Sequence, residues 1–391
     1  MPQSSDSQQR RVLILTVHHG STHVRMAQAL ARALVQLRPS LKVEVIDTLA
    51  HCSPWFRAYY NSYEIPLKYW PGLWDFIESR QYDGQTTGPW WLYRWGTRPL
   101  FRFIDAFAPD VVAATEVGLG EMAVMHKRAQ KARYALVGMG TFVFEKPWAQ
   151  PEIDLFLSFP AEVSAQLRCL GVPAEKIVEC GVPVDPAFSP SSDRSSVRTR
   201  LGLDRDLPML LVNFGGSGKA KPQEVVSALR QVTRPFQAVF IARRDERLRE
   251  DLLQRSAGMP YARVLTWVDN MHEWMAAADL LLSRAGGGIV AESMNCGLPI
   301  LVFDAPPGNE RRICALIEKS WQTGYWLQSS QAIADRIDYL LKERDELGRL
   351  RANAGQRSHP NASRDGALAI LHHLDQQVGG KGGAVSNAPV A

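Results

Sequence analysis

The sequence has 391 residues, 46% hydrophobic and 22% charged, with 45 basic and 40 acidic side chains giving a net charge of +5. That length is natural for two domains of ordinary size, and the composition is that of a folded soluble protein. The small basic excess argues against a nucleic-acid coat but tolerates a phosphate ligand or an anionic membrane surface.

Five cysteines (Cys52, Cys169, Cys180, Cys296, Cys314) are scattered with no C-x-x-C pair. The pattern fits a reducing compartment and argues against a disulfide framework or a zinc knuckle. The first residues, MPQSSDSQQRR, lack the apolar stretch of a signal peptide. No window offers ~18 uninterrupted apolar residues for a bilayer span. The expectation is a cytoplasmic protein, with peripheral contact at the inner face of a membrane.

In chain order, Val12–Thr16 is a continuous apolar run of the kind a buried parallel strand needs. The loop HHGST follows, then a helical pattern from about His23 to Leu37, then a strand at Val43–Ile46. Strand, helix and strand at this spacing make a βαβ unit. Further strands are expected at Val111–Ala114, Ala135–Val137 and Leu155–Ser158. The polar, serine-rich stretch Ser189–Asp206 follows the proline-rich Gly181–Pro186 and reads as an interdomain hinge. The alternation then restarts, with strands expected at Met209–Asn213, Ala238–Ala242, Arg263–Trp267, Leu280–Ser283 and Pro299–Phe303. The predicted organisation is an N-terminal domain (1–188), a hinge (189–206), a C-terminal domain (207–361), a closing helix (362–378) and a disordered tail (379–391). The fold class is α/β: two Rossmann-like domains facing a cleft, a common place for ligands.

Three features of the second half converge. Phe214-Gly215-Gly216-Ser217-Gly218 lies between a strand and a helix, where glycines let the backbone approach a ligand and the helix N-terminus offers N–H donors to an anion. It lacks the spacing of a Walker motif. Arg284-Ala285-Gly286-Gly287-Gly288 occupies a second strand–helix turn, with Glu292 following on the helix, and Pro307-Gly308-Asn309-Glu310 opens a third helix at the same sheet edge. Each alone is also what a tight turn looks like; three at successive strand ends are harder to explain that way.

Together with Trp267–Met271, Met275–Asp279, Ala291-Glu292 and Gly297-Leu298-Pro299, these motifs resemble the donor domain of family 28 glycosyltransferases, which share the two-domain GT-B fold. Within that family the chain looks most like the diacylglycerol glycosyltransferases, monogalactosyldiacylglycerol synthases among them. The resemblance implies that Gly215, Gly216, Ser217 and Gly286, Gly287, Gly288 meet the donor phosphates. It implies that backbone near Trp267 and Val268 holds the uracil, that Glu292 holds the ribose hydroxyls, and that Asn309 and Glu310 face the sugar. Arg244 is a candidate to neutralise diphosphate charge, with an exposed surface arginine as the plain alternative.

The relatives carry T-A-x-x-G-x-G-H at the first strand–helix turn. Here the segment is Thr16-Val17-His18-His19-Gly20-Ser21-Thr22-His23, so His23 falls on the family's histidine while Ser21 and Thr22 replace small residues. Sugar transfer needs a base for the acceptor hydroxyl, and the positive end of a helix favours the neutral imidazole that can serve. Two further departures are Gly140-Thr141-Phe142 in place of T-D-F and Thr115-Glu116 in place of Thr-His. Glu116 or Glu145 is a candidate carboxylate to orient His23 or a substrate hydroxyl. No metal is expected, since no carboxylate or cysteine cluster accompanies the histidines.

Between Pro54 and Phe107 aromatic residues are dense, with Trp55, Tyr59, Tyr60, Trp70, Trp74, Trp90, Trp91 and Trp95 interleaved with arginines. Trp and Tyr favour the lipid headgroup layer and Arg pairs with phosphate. Tyr60, Tyr63 and the pair Trp70/Trp74 sit at helical spacing, so part of the set is expected to be core. The expected reaction is an inverting transfer of galactose or glucose from UDP-hexose to diacylglycerol or a related lipid. UDP-sugar is the donor substrate and no cofactor is expected. The alternatives are another lipid-linked or hydrophobic acceptor, a nucleotide-sugar epimerase, or a catalytically silent nucleotide-sugar or lipid-binding homologue.

Overall fold

The computed structural model describes residues 9–18, 22–62, 64–82, 84, 89–158, 160–191, 193–214, 221–306 and 308–379. Among the described residues, twelve strands form two sheets. The first contains β1 (Arg11–Thr16), β2 (Lys42–Asp47), β3 (Val111–Ala114), β4 (Ala135–Met139), β5 (Leu155–Ser158) and β6 (Ile177–Glu179). The second contains β7 (Met209–Asn213), β8 (Gln237–Ile241), β9 (Ala262–Leu265), β10 (Leu280–Ser283), β11 (Ile300–Phe303) and β12 (Gly324–Leu327). Every pairing is parallel, with Ile14 beside Val45 and Ala113 in the first sheet and Leu282 beside Val212 and Leu301 in the second. The edge strands β6 and β12 were not expected from the sequence: both are short, and neither is an uninterrupted apolar run.

Parallel strands covered on both faces must be apolar on both, which is why these segments do not alternate with polar residues. Their pleat divides them between separate cores. Leu13 and Leu15 pack with the outer helices of the N-terminal half, whereas Val12 and Ile14 join a cluster that also takes in Met209 and Leu211 of the second sheet. One continuous apolar core therefore runs through the junction of the halves.

The helices of the N-terminal half are α1 (Thr22–Leu37), α2 (Pro54–Asn61), α3 (Glu64–Tyr69), α4 (Pro71–Tyr82), α5 (Trp90–Gly96), α6 (Arg98–Phe107), α7 (Val117–Gln130) and α8 (Ala161–Cys169). The rest are α9 (Arg194–Arg200), α10 (Pro222–Gln231), α11 (Glu246–Ser256), α12 (Met271–Ala277), α13 (Gly287–Asn295), α14 (Asn309–Ala315), α15 (Ser330–Lys342), α16 (Arg344–Gln356) and α17 (Ala362–Gly379). Among the described residues no helix is long and apolar enough to cross a membrane.

The stretch expected as a hinge carries α9, which is anchored on the donor half. Arg198 meets Asp279 at 2.5 Å and Arg194 meets it at 3.3 Å, joined by Arg351 at 3.2 Å. Burial pushes the Asp279 carboxyl up, but Arg198, the Met209 N–H and the two other arginines together hold it below its usual range. Removing one partner of such a buried pair costs about 3–5 kcal/mol. The last helix, α17, returns to the N-terminal half. Its Ala367, Ile370, Leu371 and Leu374 enter the shared core, Asp375 pairs at 2.7 Å with Arg38, just past the end of α1, and Ser363 donates to the Val184 carbonyl at 2.7 Å. Of the expected tail, residues 380–391 lie outside the described set.

The sheet orders are β2-β1-β3-β4-β5-β6 and β12-β11-β10-β7-β8-β9. Strand order reverses between β1 and β3 in the first and between β10 and β7 in the second. Ligands of open α/β sheets bind beyond the strand C-termini at such reversals. His23 and Glu116 follow β1 and β3 at the first reversal, and the Arg284–Gly288 loop follows β10 at the second.

Candidate active site

The two reversals face each other. The N-terminus of α1 meets the N-terminus of α13 where the Gly288 N–H donates to Thr22 Oγ1 at 3.2 Å. Each helix end carries a partial positive charge, so bringing two together is unfavourable unless an anion lies between or beside them. Gly287 and Gly288 allow the approach. A Cβ on Gly287 would lie 2.7 Å from the Thr141 side chain, and one on Gly288 would lie 2.9 Å from Thr22 Oγ1 and 3.3 Å from Arg25 Nη2. Thr22 and Thr141, two of the departures from the family pattern, are thus the residues that fill the space against the glycine loop. Gly286 is the N-cap of α13, and a Cβ there would meet only Ile289 Cγ2, at an ordinary contact distance of 3.9 Å.

Glu292 lies deep in this junction, 2% exposed, with Oε1 at 2.8 Å from Arg25 of α1. Burial pushes its carboxyl up to about 7, against the pull of Arg25. Oε2 is buried without a hydrogen-bond partner. Leaving such an acceptor unsatisfied costs about 1–3 kcal/mol, so the site is arranged to receive a donor such as a sugar hydroxyl. Arg25 escaped the sequence reading. The available signal was a basic residue in the first turn of a helix, opposed to the helix dipole and so in need of a carboxylate.

Arg244 is exposed, with its guanidinium 4.8 Å from the centre of the Trp267 ring. The arginine that points inward is its neighbour Arg243, whose backbone at φ 60° turns the chain at the end of β8. Burial lowers the pKa of Arg243, Asp245 opposes this, and the nearby charge of Arg284 lowers it further. Its Nε is buried without a partner. Arg243 is thus partly buried and feels the charge of Arg284, which begins the glycine loop before α13, whereas Arg244 is exposed. Trp267, 47% exposed, donates from Nε1 to Asp269 at 2.7 Å, and Val268 packs against the shared core. Gly215, Gly216 and Ser217 lie outside the described residues.

On the acceptor side His23 occupies the first turn of α1, with Nδ1 at 2.7 Å from the Thr115 carbonyl. A carbonyl only accepts, so Nδ1 carries the proton and, in the neutral ring, Nε2 carries the lone pair. The orienting group is therefore a backbone carbonyl rather than Glu116. Glu116 instead caps α7 through the Leu119 N–H at 3.3 Å and accepts from the Tyr60 hydroxyl at 2.7 Å. Glu145 accepts from Asn309 Nδ2 at 3.0 Å across the cleft. Burial pushes Glu145 up to about 7, with Asn309 opposing and the charges of Glu116 and Glu78 reinforcing. Glu121, unnoticed in the sequence, is likewise pushed up to about 7 by burial and then by Glu116 and Glu145. Glu310 pairs with Arg284 at 3.2 Å, and burial raises its carboxyl while Arg284 lowers it.

The aromatic segment divides into a core side and an exposed side. Phe56, Leu100, Phe101, Ile104 and Phe107 form its core side, and Tyr60 packs against them. Of the aromatics at helical spacing, Trp70 is exposed, as are Trp55, Tyr69, Phe76, Trp90, Trp91 and Trp95; Tyr63 lies outside the described residues. Arg80, Arg94 and Arg98 lie over the rings of Phe76, Trp90 and Trp95.

Both halves of the chain match known proteins. Residues 23–184 match the family described as monogalactosyldiacylglycerol (MGDG) synthase, and residues 210–312 match the glycosyltransferase family 28 C-terminal domain. Similar proteins include a processive diacylglycerol beta-glucosyltransferase of Bacillus mycoides, 24% identical over 79% of this chain and 80% of that protein. Another is the chloroplastic monogalactosyldiacylglycerol synthase 3 of Arabidopsis thaliana, 24% identical over 96% of this chain and 84% of that protein. Among solved structures, Acinetobacter baumannii MurG superposes with a TM-score of 0.63 at 16% identity, covering 93% of this chain and 99% of that one. Anabaena Alr3699/HepE, in complex with UDP and glucose, superposes with a TM-score of 0.55 at 16% identity, covering 93% and 100%. With two parallel sheets facing across a cleft and both halves matched in order, the chain belongs to the family 28 glycosyltransferases of GT-B fold, its N-terminal half of the MGDG synthase type.

Proposed function

We propose that this glycosyltransferase moves a hexose from UDP-galactose or UDP-glucose to the hydroxyl of diacylglycerol or a related lipid, with inversion at the anomeric carbon. The observation that carries the reading is His23, held by the Thr115 carbonyl in the tautomer whose Nε2 can take a proton, at the edge of the glycine loop of the other half. As the acceptor oxygen attacks, its proton passes to His23, and the anomeric carbon–oxygen bond breaks toward UDP. The helix N-terminus at Gly287 and Gly288, with Arg243 and Arg284, stabilises the charge left on the diphosphate. Glu292 Oε2 accepts from the ribose, and Asn309 with Glu310 faces the hexose. Glu116 and Glu145 line the acceptor side, where a carboxyl near 7 suits proton exchange at neutral pH.

The exposed tryptophans with their stacked arginines support docking on an anionic lipid surface at the cytoplasmic face of a membrane. A second reading, a nucleotide-sugar-binding protein without turnover, is favoured by the Thr22 hydroxyl lying on the Gly288 N–H, where the phosphate is expected. Incubating the protein with vesicles containing diacylglycerol and either UDP-hexose, then identifying lipids by mass spectrometry, separates the two. A hexosyl-diacylglycerol product is expected; UDP binding without any glycolipid would sink the transfer reading.

A further inference from the structure

The helix α4 belongs to the aromatic segment of the acceptor half, yet one of its faces grips the donor half. Asp75, Glu78 and Tyr82 follow one another at helical spacing. Glu78 Oε1 accepts from the backbone N–H of Asn309 at 3.1 Å, Asp75 lies 3.8 Å from Arg311, and the Arg312 guanidinium stacks over the Tyr82 ring at 3.7 Å. The Trp74 side chain also hydrogen-bonds the Glu78 carboxylate. Leu73, Phe76 and Arg80, on the other face of α4, are exposed.

The fit at Glu78 is built from both sides. Gly308 adopts φ 91°, which L side chains rarely adopt, and a Cβ there would lie 2.0 Å from both carboxylate oxygens. Asn309 is held at three points: its N–H by Glu78, its Nδ2 by Glu145, and its Oδ1 by Arg312 at 3.3 Å. The adjacent Glu310 is held from the donor half by Arg284.

We propose that Glu78 is a positioning residue for donor-sugar recognition, through which the acceptor half sets the loop bearing Asn309 and Glu310. The inference rests on the reading above that this loop faces the hexose. Glu78 touches no reacting atom; it fixes where Asn309 begins its helix, and so the direction in which both side chains leave the loop. Recognition of the sugar then depends on α4 being docked, whereas recognition of the nucleotide does not.

Calorimetric titration of UDP and UDP-hexose separately tests this. Glu78→Ala is expected to weaken UDP-hexose about tenfold, the loss of a charge-assisted hydrogen bond, while UDP binding stays within about twofold. Glu78→Gln keeps an acceptor oxygen and should recover most of the loss. Gly308→Ala, which intrudes on the carboxylate from the opposite side, should reproduce the Glu78→Ala pattern. Equal weakening of UDP and UDP-hexose, or no weakening of either, would overturn the proposal. Wild-type protein that binds UDP-hexose no better than UDP would instead overturn the assignment of this loop to the sugar.

Discussion

The donor and acceptor sides of the cleft are built by opposite means. On the donor side, Gly288 through Asn295 of α13 are all buried, and the groups gathered at its N-terminus are backbone N–H donors and the buried Glu292 carboxylate with its partner Arg25. On the acceptor side, short helices between β2 and β3 hold their place through a few buried anchors and turn tryptophans outward. A nucleotide diphosphate has one shape and one charge, so it can be met by a fixed backbone. A lipid chain in a fluid layer offers no fixed hydrogen-bonding partner, and area and ring chemistry are what can meet it.

Four measurements break or sharpen that contrast. Replacing His23 by Ala should lower kcat by about a hundred- to ten-thousandfold with UDP affinity unchanged, because its role lies in proton transfer. Full turnover in that variant would remove the base assignment. Glu292→Gln should weaken UDP by about tenfold or more in calorimetry, since the orphaned Oε2 and the Arg25 pair both lose charge. Unaltered UDP binding would show that the ribose lies elsewhere.

The third concerns pH. Glu121, Glu145 and Glu292 titrate near 7 in the folded chain, above the ordinary carboxyl value of 4.5. The folded state therefore holds protons that the unfolded state has released, and stability falls as pH rises from about 4.5 to 7. The thermal midpoint of ligand-free protein should drop by a few degrees, roughly, across that window, and Glu121→Gln should flatten the slope. A midpoint that rises over the same range would contradict the burial of these carboxyls. The smallest effect belongs to Arg244→Ala, within about twofold in UDP affinity, against about tenfold for Arg243→Ala. Reversed magnitudes would return the phosphate role to the exposed arginine.

The strands beyond which the site lies could be read in advance because a doubly covered parallel strand is a continuous apolar run. Leu155–Ser158, Met209–Asn213 and Leu280–Ser283 were placed to the residue. Gly287 and Gly288 could be picked out for a similar reason, since close approach leaves its mark at the glycine itself. What could not be read depends on groups far apart in sequence. Arg25 matters because Glu292 lies opposite, and Glu78 because Gly308 leaves it room. That Arg243 is partly buried while Arg244 is exposed goes with the positive φ of Arg243, which the sequence does not announce. Which of Tyr60, Trp70 and Trp74 is core could not be read from their helical spacing, because spacing says only that a helix has two faces, not which face is covered.

The return of α17 has a mechanical consequence. The polypeptide passes between the halves twice, once after Val184 and once before Ser363, and the two passages lie side by side where Ser363 bonds the Val184 carbonyl. A body fastened by a single cord can swivel freely, but one fastened by two adjacent cords is left chiefly with rotation about the line through them. Opening of the cleft is thereby restricted to a door-like swing, and the glycine loop, when the door shuts, returns to the same place above His23.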